Sequence, residues 1–357
     1  MTRAERCPIV GLGASAGGLE ALGLVFRAMP AEPGLAFVVV VHMAPGRTSA
    51  LAEILARYTS MPVVEARDGQ PVEANRVYII PPDALLTIRD RRLAVQRSEA
   101  PQRHRNPIDV FFASLAMDQG ERAIGVVLSG AGHDGTLGIR ALKEHGGLTL
   151  AQGSDHTAPQ HSSMPASAIA SGLVDLVVPA EAIGEHVVRY ARSLGTVERL
   201  VEAGDRPQDQ DDGIAAAEKA IHAILLRQVG HDFSGYRSRT FLRRVWRRMQ
   251  VLRLGELDAY VEHLRAHPDE ARLLFRDLLI GVTSFFRDPE AFEALETLVV
   301  PRLFEGKGAA DTLRVWVPGC ATGEEAYSIA MLLRERMAVV PALPRIQIFA
   351  TDIDEQA

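Results

Sequence analysis

The sequence predicts an α/β protein in three parts: a doubly wound parallel-sheet domain, an all-α domain, and the start of a Rossmann-like domain. Three observations carry this. From Pro8 to about Ser193, short β-rich runs alternate with helical stretches, the pattern of a parallel sheet covered by helices on both faces. Between Gly195 and Gly213 the composition turns to Gly, Asp, Gln, Pro and Arg, too polar to bury a core, and helical periodicity follows it. Near the end, a strand, a glycine-bearing turn, a helix and a second strand succeed one another. The expected boundaries are 1–194, a linker at 195–213, a helical domain at 214–306 and a last domain at 307–357, which a single strand–helix–strand unit leaves incomplete.

In order, strands are expected at Ile9–Leu12, Leu35–Val41, Arg76–Ile80, Ile124–Leu128, Leu148–Leu150 and Val174–Val178. Helices are expected at Gly18–Met29, Ser49–Tyr58, Leu137–His145 and Ala180–Ser193, with a hairpin at Leu85–Gln96 turning on Arg89-Asp90-Arg91. After the linker come helices Ile214–Val229, Thr240–Leu252, Glu256–Ala266, Asp269–Ile280 and Pro289–Phe304, then strand Leu313–Val317, helix Glu324–Met337 and strand Ile346–Ala350.

The 357 residues are 47% hydrophobic with a formal net charge of -6, enough for one large or two ordinary globular domains and the wrong overall sign for a nucleic-acid or membrane-surface protein. Cys7 and Cys320 are too few and too far apart for a disulfide framework, and no secretory signal or bilayer-length apolar run is visible, so a cytoplasmic location without membrane insertion is expected.

The informative segment is Gly11-Leu12-Gly13-Ala14-Ser15-Ala16-Gly17-Gly18, where small residues permit a sharp strand-to-helix turn. Such a turn lifts the Ser15 hydroxyl to the C-terminal edge of the sheet and aims helix N–H groups at a developing oxyanion. The same spacing approaches a dinucleotide fingerprint, and taken alone the two readings balance. The second strand decides between them, because His42 stands where a ribose-binding acid belongs. A third strand ends in Ser129-Gly130-Ala131-Gly132-His133-Asp134-Gly135-Thr136, which brings Asp134 to the same edge. A nucleophile Ser15, base His42 and orienting acid Asp134 are therefore expected, with His133 a minor alternative base. Taken singly, each residue reads as a cap, and the case rests on all three falling at strand ends of one sheet. His104, His145, His156 and His161 lack metal-ligand spacing, so no metal is expected.

The run Gly13-Ala14-Ser15-Ala16-Gly17-Gly18, then Val41-His42-Met43, then Leu128-Ser129-Gly130-Ala131-Gly132-His133-Asp134-Gly135, resembles the catalytic domain of the chemotaxis protein-glutamate methylesterases, CheB. Met164-Pro165-Ala166-Ser167-Ala168-Ile169, after Ala151-Gln152, matches a later segment of that family, and the likeness covers roughly residues 8–193. It implies a serine esterase without a cofactor: Ser15 attacks a glutamyl methyl ester, His42 carries the proton to methanol, Asp134 holds the imidazole, and N–H groups near Ala16 and Ala131 receive the oxyanion. Deamidation of glutamine by the same parts is implied as well. Ala131 departs from the methionine usual in the family, and the receiver domain that often precedes the family's catalytic domain is not expected here.

A second set of segments resembles the chemoreceptor methyltransferases, CheR, across about residues 214–357. These are Phe233-Ser234-Gly235-Tyr236-Arg237, Arg243-Arg244-Val245-Trp246-Arg247-Arg248-Met249, Val282-Thr283-Ser284-Phe285-Phe286-Arg287-Asp288, Gly319-Cys320-Ala321-Thr322-Gly323-Glu324-Glu325-Ala326-Tyr327-Ser328 and Ala350-Thr351-Asp352-Ile353-Asp354. The likeness implies S-adenosyl-L-methionine contacted by Thr283, Arg287, Glu324 and Asp352, in a region too incomplete to methylate by itself. Phe241, Leu242, Val245, Trp246, Met249 and Leu252 form one apolar helix face flanked by Arg239, Arg243, Arg244, Arg247 and Arg248. A charge run is most often a solvated surface and the acidic total weakens a nucleic-acid reading; the resemblance favours the acidic methylation helix of a receptor.

The expected partners are the cytoplasmic helices of methyl-accepting chemoreceptors, with a signalling kinase or response regulator as a further possible one. The leading expectation is a methylesterase fused to a truncated methyltransferase. A non-catalytic scaffold that binds receptor and S-adenosyl-L-methionine is the alternative, and the complete triad weighs against it. A nicotinamide-dependent oxidoreductase is disfavoured by His42.

Overall fold

A computed structural model describes residues 7–42, 50–97, 106–154, 158–203, 211–279, 283, 285–340 and 343–353. The expected helix start at Ser49, the helix end at Ile280, most of the linker's acidic core, His104 and His156 lie outside the described residues. The chain forms two compact units, Met1–Leu278 and Leu279–Ala357.

The first unit begins with β1 (Ile9–Ala14), α1 (Gly18–Arg27), β2 (Ala36–Val41), α2 (Leu51–Leu55), β3 (Val63–Glu65), β4 (Gln70–Pro71) and β5 (Arg76–Ile79). Next come β6 (Ala84–Arg89), β7 (Arg92–Arg97), α3 (Pro107–Gln119), β8 (Ala123–Val127), α4 (Thr136–Glu144), β9 (Leu148–Gln152), α5 (Ser163–Ala170), β10 (Leu176–Val178) and α6 (Ala180–Ala203). Seven strands pair in parallel in the order β10-β9-β8-β1-β2-β5-β3, which puts β1 at the point where the order reverses. In open α/β sheets that reversal opens the crevice used for ligands.

Burial on both faces explains why β1 and β2 read as unbroken apolar runs. Successive residues of β2 divide between two cores: Val38 and Val40 join Phe111, Phe112 and Leu115 of α3, while Phe37 and Val39 join Leu22, Phe26 and Ile183 of α1 and α6. The expected hairpin is β6–β7, and positive φ at Asp90 and Arg91 gives it the two-residue turn that matches strand twist.

Four elements escape the sequence pattern. Helix α3 has Ile108, Phe111, Phe112, Leu115 and Ala116 all fully buried, so no polar stripe sets off its period. Helix α5 and strands β3 and β4 are too short to declare one. Helix α6 also runs past its expected end at Ser193, to Ala203.

The helical part comprises α7 (Asp211–Val229), α8 (Ser238–Leu252), α9 (Leu257–Ala266) and α10 (Pro268–Leu278), packed around Ile221, Leu225, Phe241, Val245, Tyr260 and Leu274. Here the structure corrects the sequence reading. Arg244, Arg247 and Arg248 do not face an acidic partner from outside; all three are buried. Arg248 forms a two-pronged bond with Glu270 of α10, at 2.8 and 2.7 Å, and Arg247 reaches Asp175 of the sheet domain at 2.5 Å. The side chain of Arg239 lies outside the described residues.

The second unit holds α11 (Pro289–Ala294), a π turn at Leu295–Val299, α12 (Val300–Phe304), β11 (Thr312–Pro318), α13 (Glu324–Met337) and β12 (Arg345–Thr351). The single helix expected over Pro289–Phe304 is broken in register because Pro301 has no N–H to give to the preceding turn. Strands β11 and β12 pair in parallel, over a core of Val300, Phe304, Leu313, Leu332 and Leu333. No helix among the described residues is long and apolar enough to cross a membrane.

Candidate active site

Ser15 follows the last residue of β1, His42 the last residue of β2, and Asp134 lies in the loop after β8, so three adjacent parallel strands deliver the three side chains to one edge. Ser15 Oγ lies 3.3 Å from His42 Nδ1, and His42 Nε2 lies 2.7 Å from Asp134 Oδ2. A buried carboxylate at Nε2 fixes the proton there, leaving the Nδ1 lone pair to accept from the serine hydroxyl. The ring is therefore turned end for end relative to the serine-protease template, with the chemistry of base and orienting acid retained.

The backbone makes this arrangement stiff. Ser15 N–H donates to Ser129 O at 2.9 Å, and Ser129 Oγ donates to Ala16 O at 2.9 Å, tying the turn after β1 to the loop after β8. Ser129 N–H in turn donates to the buried Gln152 Oε1 at 2.9 Å. Glycine is required at two places. Gly17 has φ +72, and a Cβ on Gly130 would meet Met164 Sδ at 2.5 Å and Ser15 Cβ at 2.9 Å. Among the described residues the N–H groups of Ala16 and Ala131 donate to no acceptor, and both residues are exposed beside the serine's loop. Next to Ser15 a groove of about 550 Å³ runs along α1, past Glu20, Leu24 and Arg27 to Tyr58 and Gln160.

Asp134 is held by a reciprocal exchange between two helix starts. Its carboxylate accepts the N–H groups of Ile108, at 3.1 Å, and Asp109, at 2.9 Å, in the first turn of α3. Asp109 Oδ1 accepts the N–H groups of Gly135, at 2.9 Å, and Gly138, at 2.8 Å, at the start of α4. Each acid thus caps the other's helix. Burial and then the adjacent Asp134 charge push the Asp109 carboxyl up to about 6, against the pull of those N–H bonds. Asp109, Ser129 and Gln152 are the residues that sequence reasoning missed. Asn106-Pro107 with an acid two residues later is a helix-start signal that could have found Asp109.

His133 is exposed and is not brought to Ser15. Among the described residues there is no group of three His, Cys, Asp or Glu side chains placed to hold a metal ion.

In the second unit, Glu324 opens α13 and Asp352 follows β12, which places both at the same end of the two-stranded sheet. Between them the loop 319–323 turns through positive φ at Gly319, Ala321 and Gly323. It is pinned by Gly319 N–H to Thr351 O at 2.7 Å and by Ala321 N–H to Asp352 Oδ2 at 2.7 Å, and Thr322 Oγ1 donates to Glu324 Oε2 at 2.5 Å. A helix N-terminus behind a glycine turn, with a carboxylate at the next strand's end, suits a nucleoside-bearing cofactor, and a Cβ on Gly319 would point into open space. Thr283 and Arg287 lie on the segment ahead of α11 in the same unit.

Comparison with known proteins follows the same division. Residues 10–187 match the CheB methylesterase family, 218–279 the all-alpha domain of the CheR methyltransferases and 281–357 the CheR S-adenosylmethionine-binding domain. An uncharacterized 104.1 kDa protein of Rhodobacter capsulatus, from the hypE 3' region, is 39% identical over 85% of this chain and 33% of its own length. The protein-glutamate methylesterase/protein-glutamine glutaminase 2 of Anaeromyxobacter dehalogenans is 38% identical over 51% of this chain and 52% of its own length. The chain thus spans about a third to a half of these curated relatives. A solved structure, the Thermotoga maritima CheB methylesterase catalytic domain, is 33% identical over 51% of this chain and 97% of that one, with a TM-score of 0.46. The chain thus carries a CheB methylesterase domain over residues 10–187, followed by matches to the all-alpha domain of the CheR methyltransferases over 218–279 and to their S-adenosylmethionine-binding domain over 281–357.

Proposed function

We propose that the sheet domain hydrolyses glutamyl methyl esters on the cytoplasmic helices of methyl-accepting chemoreceptors, with Ser15, His42 and Asp134 as its catalytic triad. The observation that carries the reading is the unbroken chain Ser15 Oγ, His42, Asp134, at 3.3 and 2.7 Å, on one sheet edge beside an open groove. His42 Nδ1 takes the hydroxyl proton as Ser15 Oγ attacks the ester carbonyl, and Asp134 stabilises the imidazolium. The oxyanion develops against the N–H groups of Ala16 and Ala131. The imidazolium returns its proton to the departing methoxide, methanol leaves, and water activated by His42 cleaves the acyl-enzyme to glutamate. A glutamine side chain in place of the ester would release ammonia along the same route, in keeping with the double name of the curated relatives.

The second unit is assigned S-adenosyl-L-methionine, which supplies an activated methyl group when bound. Asp352 and Glu324 would face its ribose, with Thr283 and Arg287 as further contacts. A cytoplasmic location and a signalling kinase or response regulator as partner fit an adaptation enzyme.

The test is methanol release from a methylated receptor fragment by this chain and by Ser15→Ala. Release should fall by a factor on the order of 10³ or more in the variant. Equal release from both, or none from the folded parent with several receptor fragments, would refute the assignment.

A further inference from the structure

We propose that the N-terminal edge of the esterase sheet is a docking surface for the arginine-rich helix α8, so that the helical domain is held by the chain's own esterase domain and its cationic face is withdrawn from acidic partners while docked. This stands apart from the esterase reading, because it concerns the opposite edge of the sheet and is measured by association.

The contact is built from charges crossed between the two domains. Arg247 of α8 reaches Asp175, just ahead of β10, at 2.5 Å. Lys143, in the last turn of α4, lies 2.6 Å from the same Asp175 and 2.6 Å from Asp277 of α10. Arg243 meets Glu121, just ahead of β8, at 2.9 Å, and Arg253 donates to His186 of α6 at 2.9 Å. Apolar contact accompanies the charges, because Val251 of α8 packs on the core formed by α1 and α6. The esterase side is preorganised for a cation. The Asp175 carboxylate is fully buried and already accepts the N–H and Oγ1–H of Thr149, at 3.0 and 2.9 Å. Burial alone would raise its carboxyl, yet Arg247 and Lys143 hold it far below the usual carboxylate range.

The same interface is incompletely satisfied. Arg244 Nε, Arg247 Nε, Arg247 Nη1 and Asp277 Oδ2 are buried without a hydrogen-bond partner among the described residues. A cavity of about 30 Å³ is lined by Glu121, Tyr190, Arg243, Arg244 and Arg247. Burial and then the nearby Arg247 push the Arg244 guanidinium below its usual value. Crowded like charges and a few crossed ion pairs make a contact that loses its hold when one partner charge is removed or reversed. Docking leaves the groove beside Ser15 uncovered, since Asp175, Thr149 and Glu121 sit at strand starts and the triad at strand ends. In the docked state an acidic helix therefore finds Arg243, Arg247 and Arg248 of α8 already paired.

The experiment uses the full chain with a protease site placed within residues 204–210, between α6 and α7. After cleavage, the parent should run as one particle on size exclusion at about 0.1 M salt, a regime that screens exposed charges beyond roughly 10 Å. Arg247→Glu should let the two pieces separate, with the far-UV spectrum unchanged. Separation of the cleaved parent under these conditions, or continued association of the cleaved Arg247→Glu chain, would overturn the proposal. Asp175→Asn provides the complementary arm, because it releases docking without touching an arginine. A Glu-rich helical peptide should bind the uncleaved Asp175→Asn chain at least tenfold more tightly than the parent, and equal binding would show that the arginines are not withdrawn.

Discussion

Replacing Asp109 with asparagine removes an ionisation that the fold opposes while keeping an oxygen to accept from Gly135 and Gly138. Burial and the Asp134 charge move this carboxyl from 3.8 to about 6 in the folded chain, whereas the unfolded chain titrates near 3.8. Below about pH 4 both states hold the proton and nothing is lost. As pH rises toward 6 the unfolded state gives up its proton first, so stability falls, and above the folded value the loss is complete. A gap of roughly two pH units is worth about 3 kcal/mol at full strength; residual hydration of the pair reduces this to about 1–3 kcal/mol. The neutral amide carries no such penalty, so Asp109→Asn should gain on the parent by that amount between about pH 4 and pH 7.5. Urea unfolding followed by far-UV circular dichroism at the two pH values reads it directly, and contributions from groups remote from Asp109 cancel in the difference. A difference between the two proteins that does not change with pH would refute the reasoning.

Two further outcomes follow from the geometry. Gly130→Ala places a Cβ at 2.5 Å from Met164 Sδ and 2.9 Å from Ser15 Cβ, so the serine must shift from His42; turnover should drop about 10²-fold with stability lower by about 1–3 kcal/mol, read by methanol release and thermal melting. Asp352→Ala removes the acceptor for Ala321 N–H and the carboxylate facing the expected ribose, so calorimetric titration with S-adenosyl-L-methionine should show about tenfold weaker binding, and unchanged affinity would remove Asp352 from that site.

The central strands and the placing of Ser15, His42 and Asp134 at one sheet edge were legible because each sits at a boundary where apolar periodicity stops and a small-residue turn begins. What the sequence hid lay inside the apolar runs or across them. Helix α3 carries Asp109 within a stretch that is buried nearly all round, so its period did not show and its acid read as one charge among many. The role of Gln152 depends on a bond to Ser129 across a sheet crossover, a pairing that spacing alone does not encode. The arginines of α8 misled for a different reason. Their stripe is the same whether it meets water, a receptor or Asp175, and only the tertiary packing says which.

Helix α4 joins the two edges of the sheet. It starts two residues after Asp134 and carries Lys143 in its last turn, a span of nine residues or about 13 Å. A rod that joins the loop of Asp134 to the contact at Lys143 could pass a displacement from one to the other, but only if it were free to slide. It is not free at either end or along its side. Gly135 and Gly138 are bonded to Asp109, and Ile139 and Leu142 are fully buried in the core that holds Phe112. Lys143 meets its two carboxylates through a flexible four-carbon stem, which absorbs small movements of α10 before they reach the helix backbone. Coupling would need an alternative position for α4, and a close-packed interior supplies none at low cost. The architecture therefore argues for a docking contact that changes which surface of the helical domain is available while leaving Ser15, His42 and Asp134 where the sheet puts them.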